Sequence, residues 1–303
     1  METRYFKTLL KVIETGSFSR AAEALYITQS AASQRVKLLE ETLGHKLLDR
    51  SGPELVPTEI GEFVAIKSKE IVEKEQELFN ALKNVVSGKH LSLCCTPAFG
   101  TAFLPQVINK FILKNADTED LKFVFSQPDL AIQGLLNREF DIAVIEHCDN
   151  PDLAGFHTIN LPPDELVFIS SPAAGLEENL KIDDLLKYRL YARRDGCSSK
   201  KLLRNNLAAV GKSVDDFKKV VISDDLRLTI ETVMGGGGLS FISKSVVTPY
   251  AEAGDLKLHY VEGFNHVRCR TIALKQDRMK DELLQGFIEC VQELFEGQDT
   301  NCS

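Results

Sequence analysis

The chain has 303 residues, 44% hydrophobic and 26% charged, which is ordinary for a soluble globular protein and too long for a single ordinary core. Its formal charge of −8 excludes a uniformly basic nucleic-acid binder, and no apolar run approaches the ~18 residues of a membrane span. The charge is unevenly placed: residues 1–61 carry 8 Lys/Arg and 8 Asp/Glu, so the acidity lies in 62–303. The stretch METRYFKTLLKV lacks the pattern of a secretory signal, so a cytoplasmic protein is expected.

In chain order, Phe6, Leu9, Leu10 and Ile13 recur at helical spacing and predict an amphipathic helix over 4–15, ended by Gly16. Ser19 is expected to cap a second helix, SRAAEAL, that buries Ala21, Ala22 and Leu25. After the short turn Tyr26-Ile27-Thr28, a third helix is predicted from Gln29 to Leu43, capped by Thr28 and stopped by Gly44. Its inward stripe is Ala32, Val36, Leu39 and Leu43, so Ser30, Gln34 and Lys37 point away and Ser33 lies at the edge. Two short helices joined by a tight turn form a helix-turn-helix, whose second helix enters the major groove N-terminus first. Gln pairs bidentately with adenine, and Ser reaches base edges or phosphate. Taken alone, a plain solvated helix face accounts for the same residues.

The run SFSRAAEALYITQSAASQRVKLLEETLGHKLLDRSGPELVPTEIGE closely resembles the N-terminal signature of LysR-type transcriptional regulators. The matching pieces include Gly16-Ser17-Phe18, Ala21-Ala22, Leu25, Thr28-Gln29-Ser30, Ser33, Leu39-Glu40, Leu43-Gly44, Leu47-Leu48, Arg50 and Thr58-Glu59-x-Gly61. The resemblance implies a winged helix-turn-helix over 1–58, with a wing at Lys46–Val56 that turns at Gly52-Pro53. Its DNA-binding residues are expected to be Thr28, Gln29, Ser30, Ser33, Gln34, Arg35, Lys37 and, in the wing, Arg50. The family often has a second wing arginine where Pro53 stands, Pro where Ser30 stands, and Arg where Gln34 stands.

From Thr58 to Val86 there is no proline, and Ile60, Phe63, Val64, Ile71, Leu78, Leu82 and Val85 recur near coiled-coil spacing, with a weak middle. A linker helix over 59–88, ended by Ser87-Gly88, is expected to pair two copies. The alternative is a helix lying on its own domain. The resemblance implies a homodimer or homotetramer built on this linker.

Beyond Gly88, strands alternate with helices: LSLCC (91–95), a Thr-Pro-rich loop, a helix near 104–114, LKFVF (121–125), a helix near 130–137 and DIAVI (141–145). The alternation resumes with LVFIS (166–170), a strand at 187–192, a helix at 198–209, a strand over 218–223, a helix at 226–234, LSFIS (239–243), CRTIALK (269–275) and a helix over 279–295. This order predicts parallel sheet with helices on both faces. The expected architecture is therefore α+β and multidomain: the winged helix-turn-helix, the linker helix, then two α/β lobes resembling the type 2 periplasmic-binding-protein fold. The effector-binding domain is placed at 89–303, with lobe I at 89–161 and 266–303, and lobe II at 162–265.

Ligands of open α/β sheets bind at the carboxyl ends of strands, and helix starts suit anions. The expected effector-binding residues are Thr96, Ala98, Phe99 and Thr101 after the first strand, Gln127 and Glu146 after the next two, and Arg194, Cys197, Ser198, Ser199 and Asp224 in the second lobe. A small anion between them is expected, although Ser198 and Thr101 are equally suited to capping helices. Gly235–Gly238 lacks the Lys-Ser/Thr of a phosphate loop and reads as a helix-to-strand turn. The seven cysteines, Cys94, Cys95, Cys148, Cys197, Cys269, Cys290 and Cys302, show no zinc spacing and read mostly as buried thiols. Cys197 sits beside Arg193 and Arg194, which favours a thiolate, but no second cysteine lies between Cys148 and Cys269. The six histidines form no metal motif, and no GxSxG nucleophile occurs. The expectation is a sequence-specific DNA-binding regulator with a small-molecule effector. It is not an enzyme, needs no cofactor or metal, and contacts no membrane.

Overall fold

The structure, a computed structural model, describes residues 2–49, 55–86, 89–115 and 118–297. Arg50, Gly52-Pro53, Ser87-Gly88 and Cys302 lie outside the described residues, as do the side chains of Leu82 and Val85. The chain divides into two compact units, Met1–Ser87 and Gly88–Ser303.

The first unit holds α1 (Thr3–Thr15), α2 (Phe18–Ala24), α3 (Gln29–Leu43), a two-stranded antiparallel ribbon of β1 (Leu48–Asp49) and β2 (Val56–Pro57), and α4 (Glu59–Val86). Phe6, Leu9 and Val12 of α1 pack with Ala21 of α2 and with Val36 and Leu39 of α3. Ser17, not Ser19, stands at the N-cap of α2, which places Phe18 at the first helical position and against this core. Tyr26 closes the turn into α3 with φ 54, a conformation in which non-glycine residues are uncommon. Thr28 Oγ1 accepts the Ala31 N–H at 3.2 Å, and Gly44 at φ 73 ends α3, as the sequence predicts. Glu40 breaks the apolar pattern: it is buried, and its carboxylate accepts the Leu47 N–H at 2.9 Å, anchoring the chain as it enters the ribbon.

Gly61 lets α4 start against that same segment, because a Cβ there would sit 1.9 Å from the Leu47 carbonyl oxygen. One face of α4 lies on its own unit through Val64, Val72 and the 2.7 Å pair Lys7–Glu75. Another leaves Phe63, Ile66, Leu78 and Phe79 more than half exposed. Val64 therefore serves the core and not the seam in which the sequence reading placed it.

In the second unit follow β3 (Lys89–Cys95), α5 (Pro97–Ala102), α6 (Leu104–Lys114), β4 (Thr118–Phe125), α7 (Pro128–Leu136), β5 (Ile142–His147), β6 (Phe156–Ser170), β7 (Asn179–Leu180), α8 (Ile182–Leu186) and β8 (Arg189–Ala192). Then come α9 (Ser198–Ala209), β9 (Lys219–Ile222), α10 (Leu226–Met234), β10 (Leu239–Ser243), α11 (Lys244–Glu252), β11 (Lys257–Val261), β12 (Val267–Lys275) and α12 (Glu282–Gln292). The strand order is β4-β3-β5-β12-β6-β10-β8-β9, with β11 also paired to β6 and β7 paired to β11.

Pairing is parallel among β4, β3 and β5 and among β10, β8 and β9, but β12 and β6 are antiparallel to each other and to their neighbours. The prediction of parallel sheet thus holds in each half and fails in the middle. There, residues 156–165 of β6 pair with β12, while 166–170 pair with β10 and β11. One strand is shared by two cores. The first packs α6 and α12 against β3 and β5 through Phe111, Phe287 and Ile288, with α7 on the opposite face through Ile132 and Leu135. The second packs α9 through Leu202, Leu203 and Leu207 against Phe168 and Phe241, with α10 and α11 opposite through Ile230, Val233 and Val247. Gly236 and Gly238 take positive φ in the turn between α10 and β10, where a Cβ on Gly238 would lie 2.3 Å from the Arg189 carbonyl oxygen. Residues 97–102, expected as a loop, form α5, and the last helix is shorter than 279–295.

Candidate nucleic-acid interface and effector cleft

On α3, Thr28, Gln29, Ser30, Gln34 and Lys37 are exposed on one face, and Ser33 is half-buried at its edge. Thr28 and Ser30 share a 3.1 Å hydroxyl–hydroxyl bond at the helix start, where free N–H groups and the positive end of the dipole suit a phosphate. Arg35 turns toward α1 and donates to Thr8 at 3.4 Å, so it lies off the face formed by the others. Lys37 makes only an exposed, weak pair with Glu41.

In the second unit a pocket opens where both cores meet the shared strands. It is lined by Thr96, Ala98, Ser126, Gln127, Glu146, Tyr191, Arg193, Cys197, Ser198, Ser199, Thr229, Ser240, Ser243 and Arg268, and holds about 40 Å³. The start of α9 faces it, and Gln127 precedes α7 on its rim. Thr96 Oγ1 donates to Glu146 at 2.6 Å. Ser198 Oγ accepts from Arg268 at 2.7 Å. Ser199, 9% exposed, lines the pocket one residue into α9.

Beneath the pocket lies a closed ion network. Arg268 and Arg270 of β12 bridge Glu146 of β5 and Asp164 of β6, with contacts of 2.7 to 3.3 Å, and all four side chains are at most 5% exposed. Burial alone would lower the Arg268 value, but the charges of Glu146 and Asp164 outweigh it and hold the guanidinium above its ordinary range. Ser243 donates to Asp164 at 2.7 Å, and Arg270 stacks on Phe103 at 4.8 Å and Phe295 at 5.4 Å. The network therefore ties Thr96, on one core, to Ser198 and Ser243, on the other. Further bonds join the two sides at the rim: Gln127 donates to the Asp195 carbonyl at 2.6 Å, Cys148 Sγ to the Ser198 carbonyl at 3.6 Å, and Lys201 pairs with Asp149.

Residues 3–62 match the family described as "Bacterial regulatory helix-turn-helix protein, lysR family", and residues 86–296 match "LysR substrate binding domain". The chain belongs to the LysR family of transcription regulators. A "Probable RuBisCO transcriptional regulator" from Cyanophora paradoxa is 28% identical over 294 residues, covering 95% of this chain and 90% of that protein. A full-length OxyR variant from Pseudomonas aeruginosa has a TM-score of 0.59 at 17% identity, covering 100% of this chain and 99% of the other. Full-length CbnR, in a structure with its target DNA, has a TM-score of 0.53 at 18% identity, covering 97% and 99%. The LysR-type chain is thus a DNA-binding transcription regulator with a substrate-binding domain.

Of the effector residues expected from the LysR-type sequence, Thr96, Ala98, Gln127, Glu146, Cys197, Ser198 and Ser199 come together in this pocket. Phe99 does not: it is fully buried in the first core beside Phe103, 5.7 Å away. Thr101 is exposed and borders a neighbouring depression with Arg194 and Asp224, which pair at 2.6 Å. Tyr191, Arg193, Thr229 and Arg268 also line the pocket, and of these Thr229 and Arg268 were not anticipated. Two charged residues at alternate positions of β12 are the only sequence signal that pointed to Arg268 and Arg270. Burial pushes the thiol of Cys148 up, and Cys197 is buried at the N-cap of α9. No group of three or more metal-ligating side chains occurs among the described residues, and no described helix is long and apolar enough to cross a membrane.

Proposed function

We propose that this LysR-type regulator reads operator DNA with Thr28, Gln29, Ser30, Ser33, Gln34 and Lys37, with Arg35 and the wing Arg50 contacting phosphate, and that a small anion in the cleft controls the binding. Residues 1–58 act as the DNA-binding domain, 59–88 as the linker on which two or more copies pair, and 89–303 as the effector domain with lobes at 89–161 plus 266–303 and at 162–265. The exposed Phe63, Ile66, Leu78 and Phe79 of α4 support pairing. The protein works in the cytoplasm, where its DNA is.

The observation that carries the effector reading is the pocket itself, where the start of α9 brings Ser198 and Ser199 to line the same space as Thr96. Because the network beneath joins both cores, an anion seated between Ser199 and Thr96 favours one arrangement of the lobes, and its differential affinity supplies the free energy of switching. The test is ligand-dependent operator binding by wild type and by Thr96→Ala/Ser199→Ala. Loss of the ligand response in the double variant, with ligand-free DNA binding intact, is expected. An unchanged response removes the cleft from the mechanism.

A further inference from the structure

We infer that the cleft selects a small carboxylate that carries its own hydrogen-bond donor beside the carboxyl group, a 2-hydroxy or 2-amino acid, over the plain acid. The inference rests on the cleft being the effector site. It follows from the polarity in which the two buried hydroxyls are held. Glu146 is a carboxylate gripped by Arg268 at 3.2 Å and by Arg270 at 3.3 Å, and it can only accept. The 2.6 Å bond from Thr96 therefore uses the Thr96 proton, and only lone pairs are left for a ligand. Arg268 can only donate. Its 2.7 Å bond therefore fills a lone pair of Ser198 and leaves the Ser198 proton available.

Ser199, which also lines the pocket, adds a second hydroxyl on the Ser198 side, and the first N–H groups of α9 lie there too. One wall of the pocket thus presents donors and the other presents an acceptor. Acetate and sulfate carry acceptors only. They satisfy the α9 side and set an oxygen against the Thr96 lone pairs in a space of about 40 Å³. A hydroxyl or ammonium one carbon from the carboxylate answers Thr96 and adds only one heavy atom.

The experiment is calorimetric titration of the full-length protein with acetate, glycolate, glycine, propionate, lactate, alanine and sulfate. At least one donor-bearing acid is expected to bind about tenfold more tightly than its plain counterpart, the worth of one hydrogen bond to a group otherwise left unpaired. Thr96→Val, which keeps the shape and removes the acceptor, should bring that ratio close to one. Thr96→Ser should retain it, and Ser198→Ala should weaken every ligand while leaving the ratio unchanged. If Thr96→Val does not fold, the wild-type ratio and Thr96→Ser decide. Equal binding of the donor-bearing and plain acids overturns the donor rule and leaves the cleft site standing. No binding by any of the seven, or binding indifferent to both Ser198→Ala and Ser199→Ala, overturns the site as well.

Discussion

Replacing Arg268 with Met tests whether the ion network under the cleft holds the two lobes together. In the native protein two guanidinium groups and two carboxylates balance in charge, and Glu146 and Asp164 are at most 1% exposed. Arg268→Met keeps most of the side-chain volume, but removes three donors: one to Asp164 at 2.9 Å, one to Ser198 at 2.7 Å and one to Glu146 at 3.2 Å. It leaves two buried carboxylates sharing Arg270. Breaking a buried pair on one side costs about 3–5 kcal/mol, and a unit of this size loses ~2–4 °C of melting temperature per kcal/mol. The second unit should therefore melt roughly 10 °C lower in calorimetry of the full-length chain. Adding Glu146→Gln removes the orphaned charge and should recover part of the loss. A single variant melting within about 2 °C of wild type, or a double variant no more stable than the single, would refute the reasoning.

Gly61→Ala should destabilise the first unit by about 1–3 kcal/mol, because the new Cβ meets backbone that cannot step aside, and thermal unfolding followed by circular dichroism reads the loss. Phe63→Ser/Phe79→Ser should weaken self-association, seen as a lower mass in sedimentation, with the fold intact because both side chains are more than half exposed. His259, fully buried and bonded to Ser170 at 2.8 Å, has its value lowered by burial from 6.5. The unfolded chain binds that proton below 6.5 and the folded chain resists it, so stability should fall as pH drops below 6.5 toward the lower folded value. His259→Asn should flatten that part of the curve in denaturant titrations, and an identical slope would count against a neutral buried imidazole.

Helix α3 was legible because a single apolar stripe, a capping threonine and a stop glycine mark its boundaries, whereas α2, with two serines near its start, has the other one at its N-cap. Glu40 was not legible, since a buried carboxylate differs from an exposed one only by the Leu47 N–H it meets. The same limit hid the floor of the cleft. Arg268 and Arg270 look like surface charges until β12 is paired with β5 and β6, whose Glu146 and Asp164 are far away in sequence. Residues 156–165 contain Pro162-Pro163, which argues against a ladder strand. The structure seats them opposite the register shift between Arg268 and Arg270, where missing N–H groups matter least, and the Pro162 carbonyl accepts from Arg270 at 3.2 Å. The strand ends and the start of α9 were readable from pattern, so Thr96, Ala98, Gln127, Glu146, Cys197, Ser198 and Ser199 were named. Phe99 and Thr101 were misplaced because α5 is a helix and turns them away from the cleft.

The most direct measurement is fluorescence anisotropy of the full-length protein on the intergenic DNA upstream of its own gene, over a salt series, for wild type and Gln29→Ala/Ser33→Ala. Specific binding that weakens with salt, and that the double variant loses while its nonspecific binding persists, is the expected result. Sequence-indifferent binding by the wild type at every salt concentration, or equal specificity in the double variant, would contradict the assignment of the α3 face to operator recognition.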